Sequence, residues 1–209
     1  MLIASVSIFG TLGIFVRNIH VSSGELALYR AILAAMLITV YLLITRQRIP
    51  FSDIKKEVPL LLLSGAAMAV NWILLFEAYK YTTVSVATLS YYFAPVIVTA
   101  ACPFLFKEKL TARQILCFIM STIGLMLIIG VNGIGHGGND IIGIMFGLGA
   151  AFFYASVILI NKFIKNVEGI HRTLLQFIAA IIILIPYVLM TSGITIMNLS
   201  VVGCISLLT

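Results

Sequence analysis

The chain has 209 residues, of which 62% are hydrophobic and only 10% are charged, and its formal net charge is +6. Soluble domains have about 45–50% apolar and about 25% charged residues, so this apolar excess does not fit one buried core. The basic residues lie in short clusters between apolar runs, as in membrane loops, which argues against nucleic acid as a partner. The composition therefore predicts an all-α integral membrane protein, a polytopic helical bundle.

Eight apolar runs follow one another along the chain. Backbone groups in the hydrocarbon core must pair within their own segment, so we expect each run to form a helix. The runs cover residues 2–16, 25–45, 59–79, 83–106, 113–131, 141–161 and 172–191, and an eighth begins near residue 199. The eighth reaches only about half of a span at Thr209, so we predict seven and a half helices.

The loops between these runs differ in charge. Ten basic residues lie in the loops within 46–56, 107–113 and 162–172, whereas the other side carries only Arg17, Arg30 and Lys80. Cytoplasmic loops carry the excess of Lys and Arg, so these three loops and the N-terminus are predicted to be cytoplasmic. We expect the protein to lie in the cell (inner) membrane.

Two pairs of segments indicate an internal repeat. SIFGTLGIFVRNI (7–19) resembles AFFYASVILINKFI (151–164), and RAILAAMLI (30–38) resembles QFIAAIIIL (176–184), both at an offset of 144–146 residues. Chance similarity of apolar helices is the alternative. A true repeat would comprise five helices, over 1–131 and a partial copy over 132–209, so the second copy would be inverted. Inverted repeats are a transporter architecture, with the site near the midplane, and we expect the second copy to be truncated.

Polar groups lie near the middle of the third and fourth runs. These are Asn71 and Trp72 in the third run, and Tyr91, Tyr92 and Pro95 in the fourth. Because an unpaired polar group in hydrocarbon costs several kcal/mol, we expect these side chains to face a wet cavity and bind substrate. Pro95 has no backbone N–H and frees a carbonyl one turn back. The alternative is that Pro95 only kinks the helix and the tyrosines hydrogen-bond between helices.

Two charges are predicted at similar depth near the outer side. Arg30 lies early in the second run and Glu77 near the end of the third, so we expect an ion pair. Lys80 and Glu25 are rival partners. The pair is structural in one interpretation; in the other, Glu77 is an outer gate that accepts protons or contacts a charged substrate.

Three segments carry a family resemblance: LALYRAILAA, FEAYKYTTVSVATLSYYFAPVIV and FKEKLTARQILCFIMSTIGLMLII. In this order and at these separations they resemble the EamA-type repeat of the drug/metabolite transporter superfamily. The resemblance implies two inverted five-helix repeats around a central cavity, and secondary transport or exchange of small metabolites such as amino acids or amphipathic compounds. Glu108 matches the acidic position of the family, where its implied role is to hold the turn between two helices.

The leading hypothesis is therefore a secondary transporter in the lipid bilayer, with a small-molecule substrate, a further substrate contact from Tyr154, and protons as the coupling ion if there is one. The alternative is a non-transporting membrane scaffold or partner subunit whose polar groups join helices. An enzyme is not expected, since His20, His136 and His171 are isolated from one another and from any nucleophile. No cofactor and no metal site are expected.

Overall fold

The structure is a computed structural model that describes residues 22–46, 51–107, 111–132, 139–167 and 169–191. Over these ranges the chain forms seven helices and no strand, which confirms the all-α prediction. The helices are α1 (Ser23–Thr45), α2 (Phe51–Tyr81), α3 (Val84–Tyr91), α4 (Ala94–Phe106), α5 (Ala112–Asn132), α6 (Asn139–Phe163) and α7 (Gly169–Thr191). The first and eighth predicted runs and Glu108 lie outside the described residues.

Five stretches of the described chain are long and apolar enough to cross a bilayer. They are Ser23–Thr45, Glu57–Tyr81, Val84–Phe106, Asp140–Phe163 and Gly169–Thr191. Each agrees with a predicted run to within three residues at either end. α5 agrees with the fifth predicted run to within one residue. The prediction of a multi-pass membrane protein is therefore confirmed.

The fourth predicted run is not one continuous helix, and in this respect the prediction is wrong. α3 ends at Tyr91 and α4 begins at Ala94. Pro95 stands in the first turn of α4, where its missing amide hydrogen is not needed. The Val96 and Ile97 amides both donate to the Phe93 carbonyl, at 3.0 and 3.1 Å, so the helix starts again from Phe93. We call Tyr92–Phe93 the helix break.

The chain divides into two compact units. The first contains residues Met1–Ala69 and Ile164–Thr209, the second contains Val70–Phe163, and α2 contributes to both. In the first unit, α1 packs along α7. Gly24, in the first turn of α1, lies against Tyr187 and Val188 near the end of α7, so the two helices run antiparallel.

Polar contacts join α2 to the second half of the chain within the first unit. The Gln176 side-chain amide donates to the Ser64 hydroxyl over 2.8 Å, in a buried site. The neighbouring Gly65 leaves no space, because a Cβ there would lie 2.5 Å from the Ala179 Cβ. One carboxylate oxygen of Glu57 accepts the backbone amides of Lys165 and Asn166, both at 2.9 Å. Three hydrogen bonds and close helix packing therefore hold the first half of α2 in place.

The second unit is organised by a row of small residues on α6. Gly143, Gly147, Ala151 and Ala155 recur at every fourth position and lie on one face of the helix. Gly143 contacts Thr82, and Gly147 contacts Ala87 and Ser90 of α3. Ala151 and Ala155 pack with Ala94 of α4. Small side chains let helices approach closely, so this row brings Tyr154 of α6 against the helix break.

Candidate substrate site

The second half of α2 buries one face. Asn71, Leu75, Ala78 and Thr82 are buried at spacings of three and four residues. Asn71 is 1% exposed, and neither its side-chain nitrogen nor its side-chain oxygen has a hydrogen-bond partner among the described residues. A buried unpaired polar group costs about 1–3 kcal/mol. This cost is difficult to explain by stability alone, and it makes Asn71 a candidate ligand-binding group.

Three tyrosine rings meet in the same unit, and we call Tyr91, Tyr92 and Tyr154 the tyrosine cluster. The Tyr91 ring centroid lies 5.3 Å from that of Tyr154 and 6.2 Å from that of Tyr92. Both distances are usual for interacting aromatic rings. Tyr91 and Tyr154 are half-buried, whereas Tyr92 is 55% exposed. The structure thus brings together three of the five residues predicted to bind substrate.

Asn71 belongs beside this cluster. Its amide is close enough to the Tyr91 hydroxyl to interact with it electrostatically, although no hydrogen bond of acceptable geometry forms. A water molecule or a ligand hydroxyl, amine or carboxylate could bond to both groups at once. Trp72, the fifth predicted residue, follows Asn71 in α2 and is half-buried.

Tyr79 is a member of the site that the sequence analysis missed. Its hydroxyl lies 3.3 Å from the Thr88 hydroxyl, and it interacts electrostatically with Tyr91. Tyr79 comes eight residues after Asn71, about two helical turns along α2. That spacing places the two residues on neighbouring faces and could have identified Tyr79.

The helix break leaves one backbone carbonyl without its helical donor. Tyr91 is the last residue of α3, and the residue that would donate to its carbonyl in a continuous helix is Pro95, which has no amide hydrogen. An amide, phenol hydroxyls and aromatic faces lie close together in the site. Such a set can hydrogen-bond an amine or carboxylate and stack on, or attract, an aromatic or cationic group.

Glu77, one half of the predicted Arg30–Glu77 pair, forms an ion pair with Lys80. The Glu77 carboxylate lies 2.8 Å from the Lys80 ammonium group, one helical turn away, which is the rival pairing considered above. Arg30 is half-buried in α1 and lies in the first unit, whereas Glu77 lies in the second. Glu25, the other rival, belongs to a capping box with Ser22 at the start of α1. An Arg30–Glu77 gate stays a prediction.

Comparison with known proteins gives two findings. A family model described as the EamA-like transporter family matches residues 1–130. An uncharacterized transporter YxxF of Bacillus subtilis (strain 168) is 31% identical over 194 residues, which is 90% of this chain and 60% of that protein. The chain thus spans about three fifths of the length of this relative. No solved structure matches significantly.

Proposed function

We infer that this chain, which belongs to the EamA-like transporter family, acts in secondary transport by exporting or exchanging small metabolites. The family resemblance of the three sequence segments is confirmed by these matches, and the proposal extends it to an activity. The observation that supports it most is the buried Asn71 amide, which has no hydrogen-bond partner of acceptable geometry among the described residues and lies beside Tyr91 of the tyrosine cluster. A transporter site must leave polar groups available to its substrate, whereas interhelical contacts would pair them.

The proposed substrate is a small amphipathic compound with a cationic or aromatic part, such as an amino acid. Tyrosine faces attract cations and stack with rings, and the Asn71 amide can accept from an amine or donate to a carboxylate. Proton coupling, exchange and facilitated passage are the candidate modes. Within the described residues, the site offers hydrogen-bonding and aromatic groups without a charged partner for the substrate.

We also propose that the chain contains an inverted repeat, with a first copy over 1–131 and a second that begins at 132. Support comes from α1 and α7, which both have 23 residues and whose first and last residues are each separated by 146 positions. This separation of 146 positions falls within the offset of 144–146 residues between the similar segments of the sequence. The family model ends at residue 130, next to the proposed boundary. An odd number of spans per copy would invert the second copy, and the loop charges favour a cytoplasmic N-terminus.

Transport by tyrosine variants tests the site. The protein would be reconstituted into liposomes, and counterflow of radiolabelled amino acids and of ethidium would be measured. Tyr91→Ala and Tyr92→Ala should each lower the rate at least about tenfold, equivalent to about 1.4 kcal/mol of lost interaction, with unchanged membrane insertion. Tyr41→Ala in α1 is the matched control, since Tyr41 is 50% exposed and lies in the other unit. Unchanged rates in both cluster variants would remove the assignment.

Water access separates the transporter from the scaffold hypothesis. After substitution of Cys102, Cys117 and Cys204, Asn71→Cys should react with a soluble thiol reagent in membranes. Ala78→Cys is the control, because Ala78 lies on the same buried face of α2 and is 0% exposed. Reaction at 71 and not at 78 supports a wet cavity. Equal inertness at both positions would favour a dry bundle that acts as a scaffold.

A further inference from the structure

A cavity lies between α4 and α5, and we call it the α4–α5 groove. Its volume is about 270 Å³, and it extends from Arg113 in the first turn of α5 to Pro95 in the first turn of α4 and Ser121. Arg113 and Ser121 are eight residues apart on α5, which is about 12 Å along the helix axis. This length is close to the roughly 15 Å that one leaflet contributes to the hydrocarbon core. The groove is therefore long enough to hold a lipid acyl chain that runs from the interface towards the midplane.

Two of the polar side chains that line the groove are already hydrogen-bonded. The Thr99 hydroxyl donates to the Pro95 carbonyl over 2.8 Å. The Gln114 carbonyl oxygen accepts from both the amide and the hydroxyl of Thr111, at 2.8 and 3.0 Å, and so caps the start of α5. The Gln114 oxygen and the Thr99 hydroxyl hydrogen are thus used within the protein, and Pro95, Val96 and Phe118 make part of the lining apolar. The interior of the groove is suited to a hydrocarbon chain.

Arg113 differs from those side chains. It is exposed, and no carboxylate lies within ion-pair distance of it in the part of the chain that the structure describes. Its guanidinium has five N–H donors in a planar fork that matches a phosphate group. The charge pattern of the loops predicts that this end of α5 is cytoplasmic. A cation at the interface and an apolar groove that leads inward together match a lipid with an anionic headgroup.

Other exposed side chains of α4 and α5 are also apolar. Phe104 of α4 is 88% exposed, and Leu116 and Met120 of α5 are 58% and 65% exposed. Such faces contact lipid in a membrane protein. The two helices that form the groove therefore carry surfaces that suit the bilayer.

We propose that the α4–α5 groove binds one anionic phospholipid of the cytoplasmic leaflet, with its phosphate on Arg113 and one acyl chain along the groove to Pro95. This site is separate from the proposed substrate site and does not depend on it. The inner end of the chain would pack against Pro95, directly after the helix break, so a bound lipid would support α4 at the point where it restarts.

Native mass spectrometry of the purified protein in a neutral detergent tests the proposal. Dioleoyl phosphatidylglycerol should bind with a stoichiometry of one and at least about tenfold more tightly than dioleoyl phosphatidylcholine. Arg113→Gln should abolish this preference. Arg46→Gln is the matched control, since Arg46 is an exposed arginine of another predicted cytoplasmic loop, and it should retain the preference. Equal losses in both variants would show diffuse attraction to positive charge and would overturn the site.

Two further measurements test the acyl chain. Ser121→Leu fills the inner end of the groove without changing charge and should weaken phosphatidylglycerol binding about tenfold, whereas glycerol 3-phosphate should not compete at millimolar concentration. Cys117 lines the groove and is exposed, so with Cys102 and Cys204 replaced it reports occupancy. Its alkylation in nanodiscs should slow when phosphatidylglycerol replaces phosphatidylcholine, except in Arg113→Gln. Three results would each refute the proposal. They are full phosphatidylglycerol binding by Ser121→Leu, effective competition by glycerol 3-phosphate, and a Cys117 that stays inert in every lipid because another helix covers it.

Discussion

Replacement of Asn71 by leucine should have opposite effects on stability and transport. The leucine side chain has the same branching but carries methyl groups in place of the amide nitrogen and oxygen. Asn71 is 1% exposed, and both polar atoms lack a hydrogen-bond partner among the described residues. Each unpaired buried group costs about 1–3 kcal/mol, although the lower polar energies found in membrane proteins reduce this. We expect the free energy of unfolding to rise by about 1 kcal/mol and the transport rate to fall at least about tenfold.

Gln176→Leu is the matched comparison, because Gln176 is also a buried amide, 4% exposed, but donates to the Ser64 hydroxyl at 2.8 Å. An interhelical hydrogen bond in a membrane is worth about 0.6 kcal/mol on average and about 1.7 at most. Its removal should lower the free energy of unfolding by about 1 kcal/mol. Two substitutions of the same chemical kind are thus expected to shift stability in opposite directions.

Equilibrium unfolding in mixed micelles measures both free energies, and counterflow in liposomes measures transport. Overpacking by the larger leucine is controlled with Asn71→Ala, which removes the same amide without adding volume. If both Asn71 variants destabilise the protein as much as Gln176→Leu does, the Asn71 amide has a structural partner. Asn71 would then be a structural residue and not a ligand-binding one.

Three further predictions concern packing and capping. Gly147→Ala should lower the free energy of unfolding by about 1–3 kcal/mol through overpacking, because the new Cβ would lie 2.8 Å from the Ser90 Cβ. Gly124→Ala is the control and should be neutral in the same unfolding assay, because nothing lies within 4 Å of its Cβ. Glu57→Ala should lower the free energy of unfolding by about 1–3 kcal/mol, since it leaves the Lys165 and Asn166 amides without their carboxylate acceptor. Hydrogen exchange should become faster at those two amides, and unchanged exchange would contradict the assignment. Tyr154→Phe should keep stability within about 0.5 kcal/mol, because ring packing on Tyr91 is retained, and only loss of transport would show that its hydroxyl binds substrate.

The helices were predictable because runs of apolar residues long enough to span a bilayer can be seen in the sequence. The ends of α1 and α7 follow from where polar residues interrupt those runs. The helix break was not predictable as a break, because residues 83–106 form one mainly apolar run and a proline inside a helix can equally produce a kink.

The candidate site was predictable only in part. Asn71, Tyr91 and Tyr154 were identified because polar groups in the middle of spans are rare and costly. Tyr79 was missed because it lies close to the predicted end of its span, where a tyrosine is common at the membrane interface. The Glu57 contact could not be found from its neighbours, since its partners are 108 and 109 residues later in the chain.

The hydrogen bonds of Ser64 and Glu57 can form only late in the synthesis of the chain. Ser64 meets Gln176 across 112 positions, and Glu57 meets Lys165 across 108. At about 5–20 residues per second, α2 leaves the ribosome about 5 to 22 seconds before the segments that complete these hydrogen bonds. During that interval the Glu57 carboxylate must stay near headgroups or water, or be shielded by the insertion machinery, whereas the Ser64 hydroxyl can donate to the Leu61 carbonyl within α2. The nascent chain therefore has a defined period in which α2 is inserted but not yet held in place, and the emergence of α7 ends it.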